Sequence, residues 1–376
     1  MTRAIRVMIA DDSTVTRRIL GEAISRETDM MLVGAATNGE EAIALFRSHK
    51  PDVALLDVEM PVINGIEALR SIRATGSQAP IVMFSTLTVR GAEATLDALS
   101  AGATDYVAKP TGVGHVDKAI EFLKTEVIPK LRLWGNRFKS QRESAPKVQK
   151  DAVAIRPAGA AVVAEPRRTA VVSTRKRSGQ ANILAIGSST GGPNALADVM
   201  SRLPSDLSIP VVIAQHMPPI FTQLLAERLD RCSKLKVREG FDGAVLKPGE
   251  VWVAPGDFHM TVARQGTSVV LKTNQAPPEN SCRPSVDVLF RSVAEVYGGN
   301  SLAVVLTGMG KDGAAGCVQL SQLGATILAQ DEQSSVVWGM PRAVYEAGVA
   351  DALVPLNEMH TTIMTRLRSS VAVASA

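Results

Sequence analysis

Two groups of residues in this 376-residue sequence have the types and spacing of reactive sites. The first is Gly187-Ser188-Ser189-Thr190-Gly191, which fits the G-x-S-x-G pattern. In that pattern glycines let a serine sit on a sharp turn, its hydroxyl exposed and backbone N–H groups close by. Ser189 is therefore the candidate nucleophile, although a glycine-rich turn before a helix also suits a bound phosphate. No Gly-Lys-Ser/Thr follows, so the turn is not a P-loop. A serine nucleophile needs a base and a carboxylate to orient that base. His216 in Gln215-His216-Met217 and Asp312 in the Thr307–Gly313 run each follow an apolar stretch, as Ser189 does. In such a triad His216 takes the serine proton, Asp312 fixes the imidazole tautomer, and amides near Met309 or Thr190 bind the oxyanion. His259, after Pro255-Gly256-Asp257-Phe258, also follows a strand-like run and is a rival base. The chain order serine, histidine, aspartate matches none of the familiar hydrolase orders.

The second group is Asp11, Asp12, Asp57, Ser85 and Lys109. Singly, an aspartate after a strand is a helix cap or turn residue. Together, three carboxylates at one edge repel one another unless a cation joins them, and hard oxygen donors on a partly open site favour Mg²⁺. Asp57 then has the character of a nucleophile toward a phosphoryl group, with the metal and Lys109 neutralising the phosphoryl oxygens.

Both groups depend on elements that the periodicity supplies. Five short apolar runs beginning at Ile5, Met31, Val53, Ile81 and Asp105 alternate with amphipathic stretches over the first 134 residues. This predicts a (βα)5 unit, a parallel sheet covered on both faces with ligands at the carboxyl ends of its strands. Asp11 and Asp12 end the first strand, Asp57 the third, Ser85 the fourth and Lys109 the fifth. After Asn182 the pattern is again α/β, read as a doubly wound, mostly parallel sheet. Ile183–Ile186, Ile209–Ala214 and Leu302–Leu306 read as apolar strands of that sheet, and Met260–Ala263 and Ser268–Thr273 are joined by a Gln265-Gly266 turn. Residues 3–134 and 182–370 are thus expected as two domains.

The intervening residues 135–181 lose their apolar period and read as a flexible linker. From Asn136 to Ala181 the net charge is +8, so the chain's overall +4 leaves −4 for the rest. Clusters such as Arg175-Lys176-Arg177 lack interleaved aromatics, which argues against a specific nucleic-acid surface. Three cysteines without a CxxC pair indicate neither a disulfide framework nor zinc. With no signal-peptide pattern and no apolar span of about 20 residues, a cytoplasmic protein without membrane insertion is expected.

Residues 3–134 resemble the receiver domain of bacterial response regulators. The resemblance implies Asp57 as phospho-acceptor, Asp11 and Asp12 as metal ligands with Asp57, Ser85 and Lys109 as phosphate contacts, and Tyr106 as a conformational switch. Behind it, Gly187–Gly192, Gln215-His216-Met217, Ala254–Asp257, Arg283-Pro284-Ser285-Val286-Asp287 and Thr307–Gly313 resemble the chemotaxis protein-glutamate methylesterases, the CheB family. That implies a Ser189, His216 and Asp312 triad with the Met309 amide in the oxyanion hole. It also implies hydrolysis of glutamyl methyl esters on chemoreceptors, deamidation of receptor glutamines, a histidine kinase as phosphodonor, and no cofactor for the esterase step. An unphosphorylated receiver is expected to restrain the esterase. The family usually has alanine where Ser188 stands, so two adjacent serines compete for the nucleophile's place. The alternative is a response regulator with a non-hydrolytic protein- or DNA-binding output domain.

Overall fold

The computed structural model describes residues 3–109, 120–144 and 180–369. The chain forms two compact units.

From the N-terminus, β1 (Ile5–Ala10), α1 (Thr14–Ser25), β2 (Met30–Ala36), α2 (Gly39–His49), β3 (Val53–Asp57), α3 (Gly65–Ala74), β4 (Ile81–Ser85), α4 (Val89–Ser100) and β5 (Asp105–Ala108) follow in order. The strands pair in parallel as β2-β1-β3-β4-β5, the alternating fold expected from sequence. Strands β3 and β4 are buried along their whole length, as continuous apolar runs in a parallel sheet must be. Helix starts are marked by polar side chains. Ser13 accepts from the Thr16 amide, and Asn64 forms a capping box with Glu67.

A fifth helix was expected over Val116–Leu133. Its first residues lie outside the described set, and a π-helical turn at Leu123–Val127 leads into α5 (Ile128–Ser144). The boundary read after Trp134 therefore falls inside a helix. The Trp134 indole donates to Asp105 at 3.3 Å. Further along, Arg142 pairs with buried Asp52 at 3.7 Å, and Phe138 and Arg142 help line a cavity of about 430 Å³ beside Phe46. Most of the linker, residues 145–179 with its basic clusters, lies outside the described residues.

The second unit contains β6 (Leu184–Ser188), α6 (Gly192–Arg202), β7 (Val211–Gln215), α7 (Phe221–Cys232), β8 (Lys236–Glu239), β9 (Glu250–Val253), β10 (His259–Gln265), β11 (Ser268–Asn274) and α8 (Val286–Tyr297). It continues with β12 (Leu302–Val305), α9 (Ala314–Gln322), β13 (Thr326–Gln330), α10 (Met340–Glu346), β14 (Ala352–Val354) and α11 (Leu356–Ser369). Seven strands run parallel in the order β14-β13-β12-β6-β7-β9-β8. The two remaining strands, β10 and β11, pair as an antiparallel hairpin with Gln265 opposite Ser268.

From β6 the sheet grows outward through β7 on one side and through β12 on the other. The winding reverses at β6, and in open α/β sheets the crevice at such a reversal is where ligands bind. Helix α8 lies over the core at this point. Its buried Val286, Leu289, Phe290, Val293 and Ala294 form one apolar stripe and join Ala185, Ala303 and Val305 in a common core. Elements β8, α8, α10 and β14 were not placed by the sequence reading.

Candidate active site

The turn after β6 separates two neighbouring serines. Ser188 is fully buried and its hydroxyl donates to Gln215 Oε1 at 2.7 Å, whereas Ser189 is half-buried. Gln215 also donates from Nε2 to the Ser189 and His216 carbonyls, at 3.0 and 3.1 Å, so one amide holds the whole elbow. Gly191 then turns the chain into α6 with φ of 79°, a value glycine adopts without strain. From the other side of the crevice, the loop after β12 comes so close that a Cβ on Gly308 would lie 2.9 Å from Ser189 Cβ. The Thr307 hydroxyl donates to the Thr190 carbonyl at 2.9 Å and ties the two loops together. Among the described residues, the Thr190 and Met309 amides donate no hydrogen bond.

His216 follows β7, and its Nε2 bonds to Asp312 Oδ2 at 2.7 Å. Asp312 sits against the start of α8, where its two oxygens also accept from the amides of Val286 (2.7 Å), Asp287 (3.0 Å) and Gly313 (3.0 Å). Side chains of Ser285 and Asn280 add two more donors, each at 2.9 Å. Burial alone would raise the Asp312 carboxyl. The His216 bond and charge and the Asp287 and Val286 amides outweigh burial and hold it far below the usual carboxylate range. Burial likewise opposes charge on His216. The bond to Asp312, then the contact with Cys282, overcome it and bring the imidazole up to about 9. Asp287, next along α8, is pushed up by burial despite the Gly316 amide it accepts from.

The rival histidine is fully employed elsewhere. His259 is buried, its Nδ1 accepts from the Ser285 amide at 3.2 Å and its Nε2 bonds the Pro277 carbonyl at 3.1 Å. Its role in the structure is to hold the Asp312 cradle from behind. Sequence reasoning missed Gln215, Asn280, Ser285 and Cys282 as site residues. The signal that points to them is stoichiometric: a buried carboxylate and a buried serine need partners, but spacing alone does not say which residues supply them.

In the first unit the three carboxylates read from the sequence lie together at the strand ends. One oxygen from each of Asp11, Asp12 and Asp57 lies within 4.8 Å of the others. Lys109 Nζ donates to Asp11 at 2.9 Å and to Asp57 at 2.7 Å. Burial raises Asp57 to about 6 against the lowering influence of Lys109, with the Asp11 charge adding to the rise. Burial would lower Lys109, yet its bonds to the two carboxylates raise it. Ser85 is buried at the end of β4, beside Asp57 in the sheet order. An oxygen-only cluster with one exposed member, Asp12, fits a hard divalent cation that keeps part of its water shell. Tyr106 is buried, and Lys130 Nζ lies 5.3 Å from its ring centroid.

No helix among the described residues is long and apolar enough to cross a membrane. A family model for the CheB methylesterase matches residues 184–363, and one for the response regulator receiver domain matches residues 7–121. A protein-glutamate methylesterase/protein-glutamine glutaminase from Trichodesmium erythraeum is 45% identical over 362 residues, covering 96% of this chain and 99% of that protein. One of the same name from Nocardioides is 45% identical over 363 residues, with 96% and 95% covered. The Maricaulis maris relative of that name is 42% identical over 385 residues, with 96% of each covered. Among solved structures, the Thermotoga maritima CheB catalytic domain is 42% identical, with a TM-score of 0.48. The match covers 50% of this chain and 98% of that one.

Proposed function

Because the chain belongs to the family of receiver-bearing CheB protein-glutamate methylesterases and protein-glutamine glutaminases, we propose that it hydrolyses glutamyl methyl esters on chemoreceptors under control of its receiver. The observation that carries this reading is the 2.7 Å bond between His216 and Asp312 beside the half-buried Ser189 of the elbow. Ser189 Oγ attacks the ester carbonyl while His216 Nδ1, the nitrogen Asp312 leaves free, takes its proton. The oxyanion is received by the unengaged Thr190 and Met309 amides. Collapse of the tetrahedral adduct breaks the bond to the methoxy oxygen, which leaves as methanol with the proton from His216. Water, deprotonated by the same imidazole, then attacks the acyl-serine, and Ser189 recovers its proton as the receptor glutamate departs. A glutamine side chain presents the same carbonyl with ammonia as the leaving group, so deamidation follows the same path.

In the receiver, Asp57 accepts a phosphoryl group from a histidine kinase, and Ser85 and Lys109 contact its oxygens. Asp11, Asp12 and Asp57 would hold Mg²⁺, which neutralises charge on the transferring phosphoryl group. The test is methanol release from a methylated chemoreceptor fragment, with mass spectrometry of a glutamine-bearing receptor for deamidation. Methanol release that a small phosphodonor accelerates in the wild type but not in Asp57→Asn supports both halves. A wild type that releases no methanol in either condition points instead to an output domain that only binds.

A further inference from the structure

The nitrogen that has to accept the Ser189 proton already has a partner. His216 Nδ1 lies 3.4 Å from Cys282 Sγ, while the Ser189 hydroxyl makes no hydrogen bond among the described residues. The thiol is half-buried and held in place by a tight loop. Glu279 and Cys282 exchange backbone hydrogen bonds at 3.1 and 2.9 Å, and between them Asn280 and Ser281 take left-handed φ values of 53° and 62°. Two successive non-glycine residues in that region persist only where their surroundings fix them. Here Glu279 is forked onto Arg291 at 2.7 and 2.5 Å, and Asn280 donates to both Asp312 and Asp287 at 2.9 Å. Arg283 closes the far side on Asp257. The loop that buttresses Asp312 thus also places a thiol on the opposite end of the same imidazole.

We propose that Cys282 is a positioning residue that occupies His216 Nδ1 in the resting site and must release it before Ser189 can be deprotonated. This rests on the triad reading above. Serine and thiol compete for one nitrogen, so the thiol restrains the chemical step without touching the ester. The thiol also favours the charged imidazole, the form that cannot act as a base, in concert with Asp312. Other titratable groups lie one layer out: Asp287 behind Asp312, His259 behind Ser285, and the Glu279–Arg291 pair at the base of the loop. Replacing Cys282 leaves all of them in place.

The experiment is the pH profile of methanol release for the full-length wild type, Cys282→Ala and Cys282→Ser, with circular dichroism to establish folding. For Cys282→Ala we expect the ascending limb to move to lower pH and kcat at pH 7 to rise several-fold, approaching about tenfold if the midpoint moves by one unit. KM should stay unchanged, and Cys282→Ser should fall between. An unshifted limb in Cys282→Ala, or a folded Cys282→Ala that has lost activity, overturns the proposal. An independent readout is iodoacetamide labelling of Cys282, followed by peptide mass spectrometry. The His216→Ala variant should label at a rate different from the wild type at pH 7, because the thiol loses the ring nitrogen it lies against. Equal labelling rates contradict the pairing. Ser189→Ala, run alongside, separates the two readings: retained methanol release would sink the triad itself, whatever Cys282 does.

Discussion

Burial distinguishes Ser188 from Ser189, two residues with the same functional group one position apart. The Ser188 hydroxyl is spent on Gln215 inside the protein, and Ser189 is left to face the crevice. Ser188→Ala should therefore keep most of the activity while costing about 1–3 kcal/mol of stability, because Gln215 Oε1 loses its buried donor. Chemical denaturation of the variant against wild type checks this. Asp312→Asn keeps the shape of the cradle but reverses the tautomer of His216, and kcat should fall by about 10⁴-fold with little change in KM. The His216–Asp312 pair also sets a pH dependence whose sign is fixed. The folded imidazole titrates at about 9, above its ordinary 6.5. Its contribution, on the order of 3 kcal/mol, is complete below pH 6.5 and is lost as pH rises through 9. Denaturant midpoints measured from pH 6 to 10 should fall across that window in the wild type and remain flatter in His216→Gln. At this scale the sequence pointed to the candidate residues, because glycine-bounded turns after apolar runs advertise themselves. Spacing alone left open the choice between His216 and His259; in the structure His216 is the one bonded to Asp312, while His259 bonds the Pro277 carbonyl and the Ser285 amide.

Elements bring those residues within reach, and the closest approach is between the turn after β6 and the loop after β12. A Cβ on Gly308 would lie 2.3 Å from Met340 Sδ and 2.9 Å from Ser189 Cβ. Gly308→Ala should displace the nucleophile and reduce kcat by about 10²-fold, the usual consequence of an ångström's misplacement. Single-turnover methanol release reads this directly. Helix α5 carries a second consequence. Its last turns hold Arg142 against Asp52, so a receiver fragment ending at Trp134 should melt below one ending at Ser144, by about 4 °C or more for each kcal/mol lost. The parallel strands were legible because they are apolar throughout. Strand β8 was not, since Lys236, Val237, Arg238 and Glu239 offer a single buried side chain. Helix α8 was different: Val286, Leu289, Phe290, Val293 and Ala294 carry the helical period in full in the sequence.

For the whole molecule, the order of a phosphate-accepting sheet before a serine-bearing sheet was readable from motifs alone, since each site falls at a strand end that topology dictates. The end of the first domain was less legible, because the basic, polar composition beyond Trp134 resembles a linker even where the chain is helical. Control by phosphorylation makes a separate demand on Asp57. With its carboxyl at about 6, metal binding requires loss of that proton, so Mg²⁺ affinity should weaken progressively below pH 6. Calorimetric titration with Mg²⁺ at pH 5, 6 and 7.5 checks it, and Asp57→Asn should remove much of the pH dependence. The central claim is that Ser189, activated through His216 and Asp312, opens a receptor methyl ester. Its most direct test is methanol release from a methylated chemoreceptor by wild type, Ser188→Ala and Ser189→Ala under one set of conditions. The account predicts release by the first two and none by Ser189→Ala; full activity in Ser189→Ala would contradict it.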